Sequence, residues 1–258
     1  MPKRAARRRQ GISLLPSLFT TGNLFLGFAS LVSGIGGHYT RAAALIYVAM
    51  LFDFVDGPLA RLTGSSSDFG VEYDSLADSL SFGVAPATLA YLYALQRYDR
   101  YGWIVAFLFA AGAALRLGRY NTTTRPGKAN TYFQGLSTPT ASGTLGGLVL
   151  LSTRYALDEQ TRATLFFIAV PLLAFLMVST LPYYSFKTVR LNRKQAFYAT
   201  AGIAVGFAAI AAEPTLVLPL MFLVYAFSGP VLWLLRPRRR KQAAQQSPDE
   251  APKPSSEP

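Results

Sequence analysis

The amino-acid sequence predicts an all-α polytopic integral membrane protein with about eight transmembrane helices. Three observations carry that expectation. The 258 residues are 51% hydrophobic and only 15% charged, well below the roughly 25% charge of an ordinary soluble domain. The apolar residues come in long blocks separated by short polar connectors. Lys and Arg, which give a net charge of +12, sit in the gaps between the blocks, not along aromatic-studded surface segments as a single-strand nucleic-acid binder requires. Nucleic acid is therefore not an expected partner, and the lipid bilayer is.

A crossing helix needs about 20 mostly apolar residues. The stretches that approach this length are Ser17 to Gly37, Ala42 to Ala60, Gly70 to Leu95, Gly102 to Tyr120, Gly135 to Thr153, Ala163 to Tyr184, Ala196 to Ala212 and Thr215 to Leu235. The first is too long for a cleavable signal and runs into Tyr39 and Arg41 instead of a small-residue cleavage site; its Asn23 reads as an interhelical hydrogen-bonding residue. The second and third carry aspartates. Arg116 and Arg119 lie near the end of the fourth, and Trp103 with the tyrosines at span ends forms an interfacial belt. Gly143, Gly146 and Gly147 in the fifth allow close helix packing.

Flanking these spans, residues 1–13 form a basic segment, 14–237 the transmembrane domain, and 238–258 a basic and then disordered tail of Gln, Ser, Pro, Glu and Lys. An even number of spans puts both termini on one side. That side and its connectors hold all of the 25 basic residues except Arg41, Arg97, Arg100, Arg154 and Arg162. Cytoplasmic connectors carry the excess of Lys and Arg, so both termini are expected in the cytoplasm of a multi-pass protein of the cell (inner) membrane. No repeat of 20 to 50 residues is evident.

The absence of cysteine excludes disulfides, thiolate metal sites and cysteine nucleophiles, and the one histidine, His38, excludes multi-histidine sites. His38 falls at the outer end, where it reads as a solvated side chain. Oxygen ligands remain. Asp53 and Asp56 in the second span and Asp74 and Asp78 in the third are costly in a bilayer, at about 3 kcal/mol each on insertion scales. Spacings of three and four put each pair on one face of its helix. Two antiparallel neighbours then let all four converge at their cytoplasmic ends. Such a cluster would mostly protonate unless cations neutralise it, and hard oxygen ligands select Mg²⁺ or Mn²⁺. Two divalent cations balance four carboxylates, and a pair about 4 Å apart suits in-line displacement at phosphorus. Gly57, Ala60 and Gly70 leave room beside the carboxylates for a ligand or a helix, and Arg61 offers a forked donor for phosphate oxygens. A proton or cation relay of an ion-coupled carrier is the competing reading of paired intramembrane acids.

Asp53, Asp56, Gly57, Ala60, Arg61, Gly70, Asp74 and Asp78 match every fixed position of the D-x2-D-G-x2-A-R-x8-G-x3-D-x3-D signature. The chain thereby resembles the CDP-alcohol phosphotransferase family. Eight fixed positions at about 5% each make an accidental match negligible. LPSLFTTGNLFLGF from Leu15 to Phe28, DSLADSLSFGVAPA from Asp74 to Ala87, RLGRYN from Arg116 and YFQGLSTP from Tyr132 are similar to one branch, the CDP-diacylglycerol–serine phosphatidyltransferases. Ser17 and the pair Ser137-Thr138 depart from that branch.

The resemblance implies transfer of the phosphatidyl group of CDP-diacylglycerol to the hydroxyl of L-serine, with release of CMP. It implies Asp53, Asp56 and Asp74 as metal ligands, and Asp78 as both ligand and general base. Thr20, Gly57, Ala60, Arg61 and Gly70 are expected to meet the CDP-lipid, and a homodimer is implied. Glycerol 3-phosphate and inositol phosphate are the alternative acceptors. Serine brings a carboxylate toward a site full of aspartates, so a fixed cation is needed. Arg116 and Arg119, three apart on one helical face, are the candidates, against a reading in which they only snorkel and set topology.

Overall fold

The computed structural model describes residues 2–63, 68–123, 132–184 and 193–235. Among them the chain folds as an all-α bundle, with one small addition. Helices α1 (Pro2–Ile35) and α2 (Tyr39–Thr63) form an antiparallel hairpin, closed by Gly37 at φ +77°, where only glycine is unstrained. Helix α3 (Asp68–Asp78) runs through a π-helical segment, Ser79–Val84, into α4 (Ala85–Tyr93). Helix α5 (Asp99–Thr123) follows, then α6 (Thr138–Arg154), α7 (Glu159–Val178), α8 (Arg193–Ala212) and α9 (Pro214–Leu235).

Among the described residues, five segments meet the length and hydropathy of a crossing helix: Ser17–Ile35, Tyr39–Leu59, Leu95–Thr122, Glu159–Val178 and Pro214–Leu234. The other three expected spans are also helical but differ in kind. The third is interrupted by the π segment, the fifth is a 17-residue helix, and the seventh has a shorter apolar stretch, Tyr198–Ala212. The basic segment before the first span continues α1 backward to Pro2. The tail expected to be disordered lies outside the described residues.

Helix α6 is the axis of the bundle. Its sequence TPTASGTLGGLVLLSTR is short on bulk, and small residues let neighbouring backbones approach. A Cβ on Gly143 would meet the Phe222 ring of α9, and one on Gly147 would meet Pro219. Around it Phe82, Phe109, Leu136 and Phe166 are fully buried. The large exposed apolar side chains, among them Phe25, Phe54, Phe107 and Phe175, face outward, as lipid-facing helices require.

Two expected boundaries shift for identifiable reasons. Gly135 adopts φ +79°, and Ser137 accepts the Thr140 N–H at 3.3 Å as an N-cap, so α6 begins at Thr138 and not Gly135. Helix α7 ends at Val178, because Pro182–Tyr184 forms strand β2, antiparallel to β1 (Tyr132–Gln134), with Phe133 opposite Tyr183. This two-stranded ribbon departs from a purely helical expectation. It ties the chain before α6 to the chain after α7. Tyr183 anchors the ribbon by donating to the Ala226 carbonyl at 3.0 Å.

Candidate active site

The α1–α2 hairpin and α3 place the acidic residues. One carboxylate oxygen from each of Asp53, Asp56 and Asp74 lies within 4.8 Å of the others. Asp78 joins them from the last turn of α3, within hydrogen-bonding reach of Asp53, while Asp74 stands in the same relation to Asp56. Three of the four carboxylates expected to converge form one cluster, with Asp78 beside it.

Helix α1 supplies the neutral donors. Thr20 Oγ1 donates to Asp56 Oδ2 at 3.2 Å and Asn23 Nδ2 to Asp78 Oδ1 at 3.0 Å. Asn23 is fully buried, and Asp56 and Asp78 are 6% and 9% exposed. Asn23 does bond between helices, as expected, but its partner is the candidate base. Its approach depends on Gly27: a Cβ there would collide with Ser81, whose Oγ donates to the Asn23 carbonyl at 3.0 Å. Sequence reading did not single out Ser81; the signal available was a serine inside an apolar span three residues past Asp78.

The π segment begins where the acids end. Such segments mark functional positions because the i→i+5 turn frees a carbonyl and re-aims side chains. Here Ser142 of α6 donates to the Phe82 carbonyl, which locks the irregular turn to the central helix. On the other side Tyr73 donates to Thr21 Oγ1 at 2.9 Å, whose own proton goes to the Ser17 carbonyl at 2.7 Å, and Asn121 of α5 donates to Ser75 Oγ at 2.8 Å. These bonds fix α3 against α1 and α5.

The acids fit divalent cations on two observations of this structure. Asp74 Oδ1 is buried without a hydrogen-bond donor, a state that costs about 1–3 kcal/mol or more for a charged oxygen and that a cation relieves. The donor set is all hard oxygen, which suits Mg²⁺ or Mn²⁺. Gly57 faces open space, with nothing within 4 Å of an added Cβ, so the backbone beside Asp56 is accessible. Gly70 is half-buried on α3. Ala60 and Arg61 belong to the last turns of α2, and their side chains lie outside the described part.

The two arginines of α5 occupy different surroundings. Arg116 Nη1 donates to Thr138 Oγ1 at 2.9 Å, its Nε is buried without an acceptor, and its charge is within electrostatic reach of Asp78. Arg119 turns toward the end of α7, donating to the carbonyls of Val178 at 2.8 Å, Ser179 at 3.3 Å and Met177 at 3.5 Å. A cation on the last carbonyls of a helix also meets the negative end of its dipole.

A family model described as CDP-alcohol phosphatidyltransferase matches residues 13–234. The chain belongs to that family. It is 34% identical over 221 residues, 86% of this chain and 91% of the relative, to a CDP-diacylglycerol–serine O-phosphatidyltransferase of Helicobacter pylori. A protein of the same name from Mycobacterium leprae is 30% identical over 224 residues, 85% of this chain and 74% of that one. An archaetidylserine synthase of Methanothermobacter thermautotrophicus is 37% identical over 172 residues, covering 66% and 69%.

Proposed function

We propose that this protein transfers the phosphatidyl group of CDP-diacylglycerol to the hydroxyl of L-serine, giving phosphatidylserine and CMP. The observation that carries the reading is the convergence of Asp53, Asp56, Asp74 and Asp78 at one end of the bundle, within a chain whose relatives are named for transfer to serine. The archaeal relative carries the same acceptor in its name with a different lipid, so serine is the common element.

Asp53, Asp56, Asp74 and Asp78 would hold two divalent cations, which supply charge neutralisation at the pyrophosphate when bound. The chain's own residues do the rest. Asp78 accepts the proton of the serine hydroxyl as its oxygen bonds to the β-phosphorus and the bond to the CMP oxygen breaks. Asn23, by donating to Oδ1, holds the Asp78 carboxyl in one orientation and leaves its second oxygen for that proton. Thr20 does the same for Asp56. The open backbone at Gly57, with Gly70, Ala60 and Arg61, receives the CDP-lipid.

Arg116 binds the serine carboxylate in this reading. It is held by a single hydroxyl, its Nε lacks a partner, and a guanidinium fork matches a carboxylate with two parallel bonds. Arg119 is committed to α7 and supports the site from behind. The cytoplasmic placement of this end in the inner membrane rests on the distribution of the 25 basic residues, and the homodimer on family resemblance.

The test is an assay of the purified protein in detergent with CDP-diacylglycerol, Mg²⁺ or Mn²⁺, and an equimolar mixture of serine, glycerol 3-phosphate and inositol phosphate. Mass spectrometry of the lipid product should show phosphatidylserine with equal release of CMP. Product from a phosphorylated acceptor instead would reassign the acceptor, and no CMP release under any condition would favour the carrier reading.

A further inference from the structure

At the end of the bundle away from the carboxylates, the α1–α2 turn, the end of α4 and the α6–α7 turn line an open cavity of about 640 Å³. Tyr39, which lines it, precedes Asp53 by fourteen residues on α2, so at 1.5 Å per residue the two sites are about 21 Å apart. We propose that this cavity is a binding site for a phosphate-type oxyanion, separate from the catalytic carboxylates.

The lining carries Arg41, Arg162 and His38, with hydroxyls from Tyr39 and Thr40, and no carboxylate. Among the described residues neither arginine is paired with an acid, whereas Arg97 and Arg154 on the same end are paired with Glu159 and Glu213 at 3.0 and 2.6 Å. The acids nearest in the chain are already engaged. Asp158 accepts the Thr161 N–H at 2.9 Å, and Glu159 holds Arg97.

Arg162 is held in place without being neutralised. Its guanidinium lies over the Tyr93 ring at 4.6 Å, and its Nε is buried with no acceptor. Tyr93 is fixed in turn by edge contacts with Tyr39 and Phe166, at 5.2 and 5.6 Å. Its hydroxyl bonds Ser152 and Thr153, both at 3.0 Å. Those two hydroxyls donate to the Leu148 and Val149 carbonyls at 2.6 and 2.8 Å, so the single Tyr93 proton is shared between their oxygens. A ring face under an arginine fixes its plane while leaving the N–H edge free. That edge is what a tetrahedral oxyanion uses.

The backbone of the site is specialised as well. Gly37 at φ +77° and Ala156 at φ +47° both line the cavity. A left-handed conformation is uncommon for a residue with a side chain and persists only where the surroundings over-determine it. Two of the turn amides are spent within their own turns, His38 N–H on the Ser33 carbonyl at 2.9 Å and Leu157 N–H on the Ser152 carbonyl at 3.0 Å. The charge that holds the anion comes from the two guanidinium groups. A phospholipid headgroup and a free phosphate share this chemistry.

The experiment measures the melting temperature of the full chain in neutral detergent with sodium phosphate or sodium chloride at equal ionic strength. It is repeated in nanodiscs of neutral lipid with and without phosphatidylglycerol. The proposal expects a rise on the order of 5 °C near saturation that chloride does not reproduce and that Arg41→Gln with Arg162→Gln removes. Arg97→Gln, outside the cavity, should retain it. A response to phosphate and phosphatidylglycerol together assigns a general oxyanion site, and a response to phosphatidylglycerol alone assigns a lipid headgroup. Arg41→Gln by itself, at an exposed position, should weaken binding at least 10-fold, which keeps the test decisive should Arg162→Gln misfold. No response to either anion, an equal response to chloride, or an undiminished response in Arg41→Gln would overturn the proposal.

Discussion

The carboxylate end of the bundle and the cavity at its far end concentrate opposite charges, and they do so by different means. Four acids stand together at the first, met among the described residues by the neutral donors Thr20 and Asn23 and by Arg116 at a distance. Two arginines stand at the second, with an aromatic face under one of them and no acid in the lining. Like charges clustered without a counter-charge in the chain are tolerated where one arrives from outside it. In the proposed readings each end receives a ligand of the opposite sign, divalent cations at the first and an oxyanion at the second.

The largest effect that could break this comparison lies at the acidic end. Asp78→Asn preserves the volume and the bond from Asn23, but it removes the charge and the proton acceptor. Turnover should fall by about 10² to 10⁴ for the lost acid–base group alone, and further for the weakened hold on cations. CMP release and the circular dichroism of the helices would be followed together. A folded variant with near-normal turnover would remove Asp78 from the reaction. Chelation with EDTA should abolish turnover in wild-type protein, and Mg²⁺ or Mn²⁺ should restore it.

The two ends also differ in how readable they were from sequence. Asp53, Asp56, Asp74 and Asp78 lie within 26 residues on adjacent helices, and an acid in an apolar span is conspicuous because of its insertion cost. Local spacing alone placed them together. The far cavity draws on residues from position 37 to position 162, and each basic residue read singly looks like an ordinary connector charge. Only the packing of α4, α6 and α7 shows that Arg162 sits on Tyr93. The π segment after Asp78 was hidden for a related reason. Its sequence SLSFGV continues the apolar pattern, and its bond to Ser142 comes from a helix sixty residues away. The same holds for the different fates of Arg116 and Arg119, which share a helical face in sequence but meet different neighbours.

That difference gives an intermediate effect. Arg116→Lys keeps the charge and loses the fork, so it should raise the KM for serine about 10- to 150-fold, equivalent to about 1.5–3 kcal/mol for a charge-assisted bond. Binding of CDP-diacylglycerol should change little. Arg119→Lys should leave the serine KM within a few-fold and instead lower stability by about 1 kcal/mol, because one ammonium cannot serve three carbonyls at the end of α7 as the fork does. Steady-state kinetics and thermal melts of both variants separate the two roles. If their effects exchanged places, the acceptor would bind at Arg119.

The smallest effect tests whether the far end is electrostatically independent of the acids. Asp158, at the start of α7, is held below the usual carboxylate range by the Thr161 hydroxyl and then by the Thr161 backbone N–H. A carboxyl with a depressed folded-state pKa stabilises the protein above its unfolded value, near 3.9, and loses that contribution as pH falls through the folded value. Asp158→Asn keeps an acceptor for the Thr161 N–H but has no charge to titrate. Wild-type protein should therefore melt slightly higher than the variant at about pH 6, and the gap should close as pH is lowered to about 3. The buried acids titrate in both proteins and cancel in the difference, since sites this far apart act additively. A gap that stayed constant with pH would mean that Asp158 acts only through its hydrogen bond. One that widened on acidification would mean that the charge at this end is coupled to the carboxylates across the bundle, and the two ends could no longer be treated as separate sites.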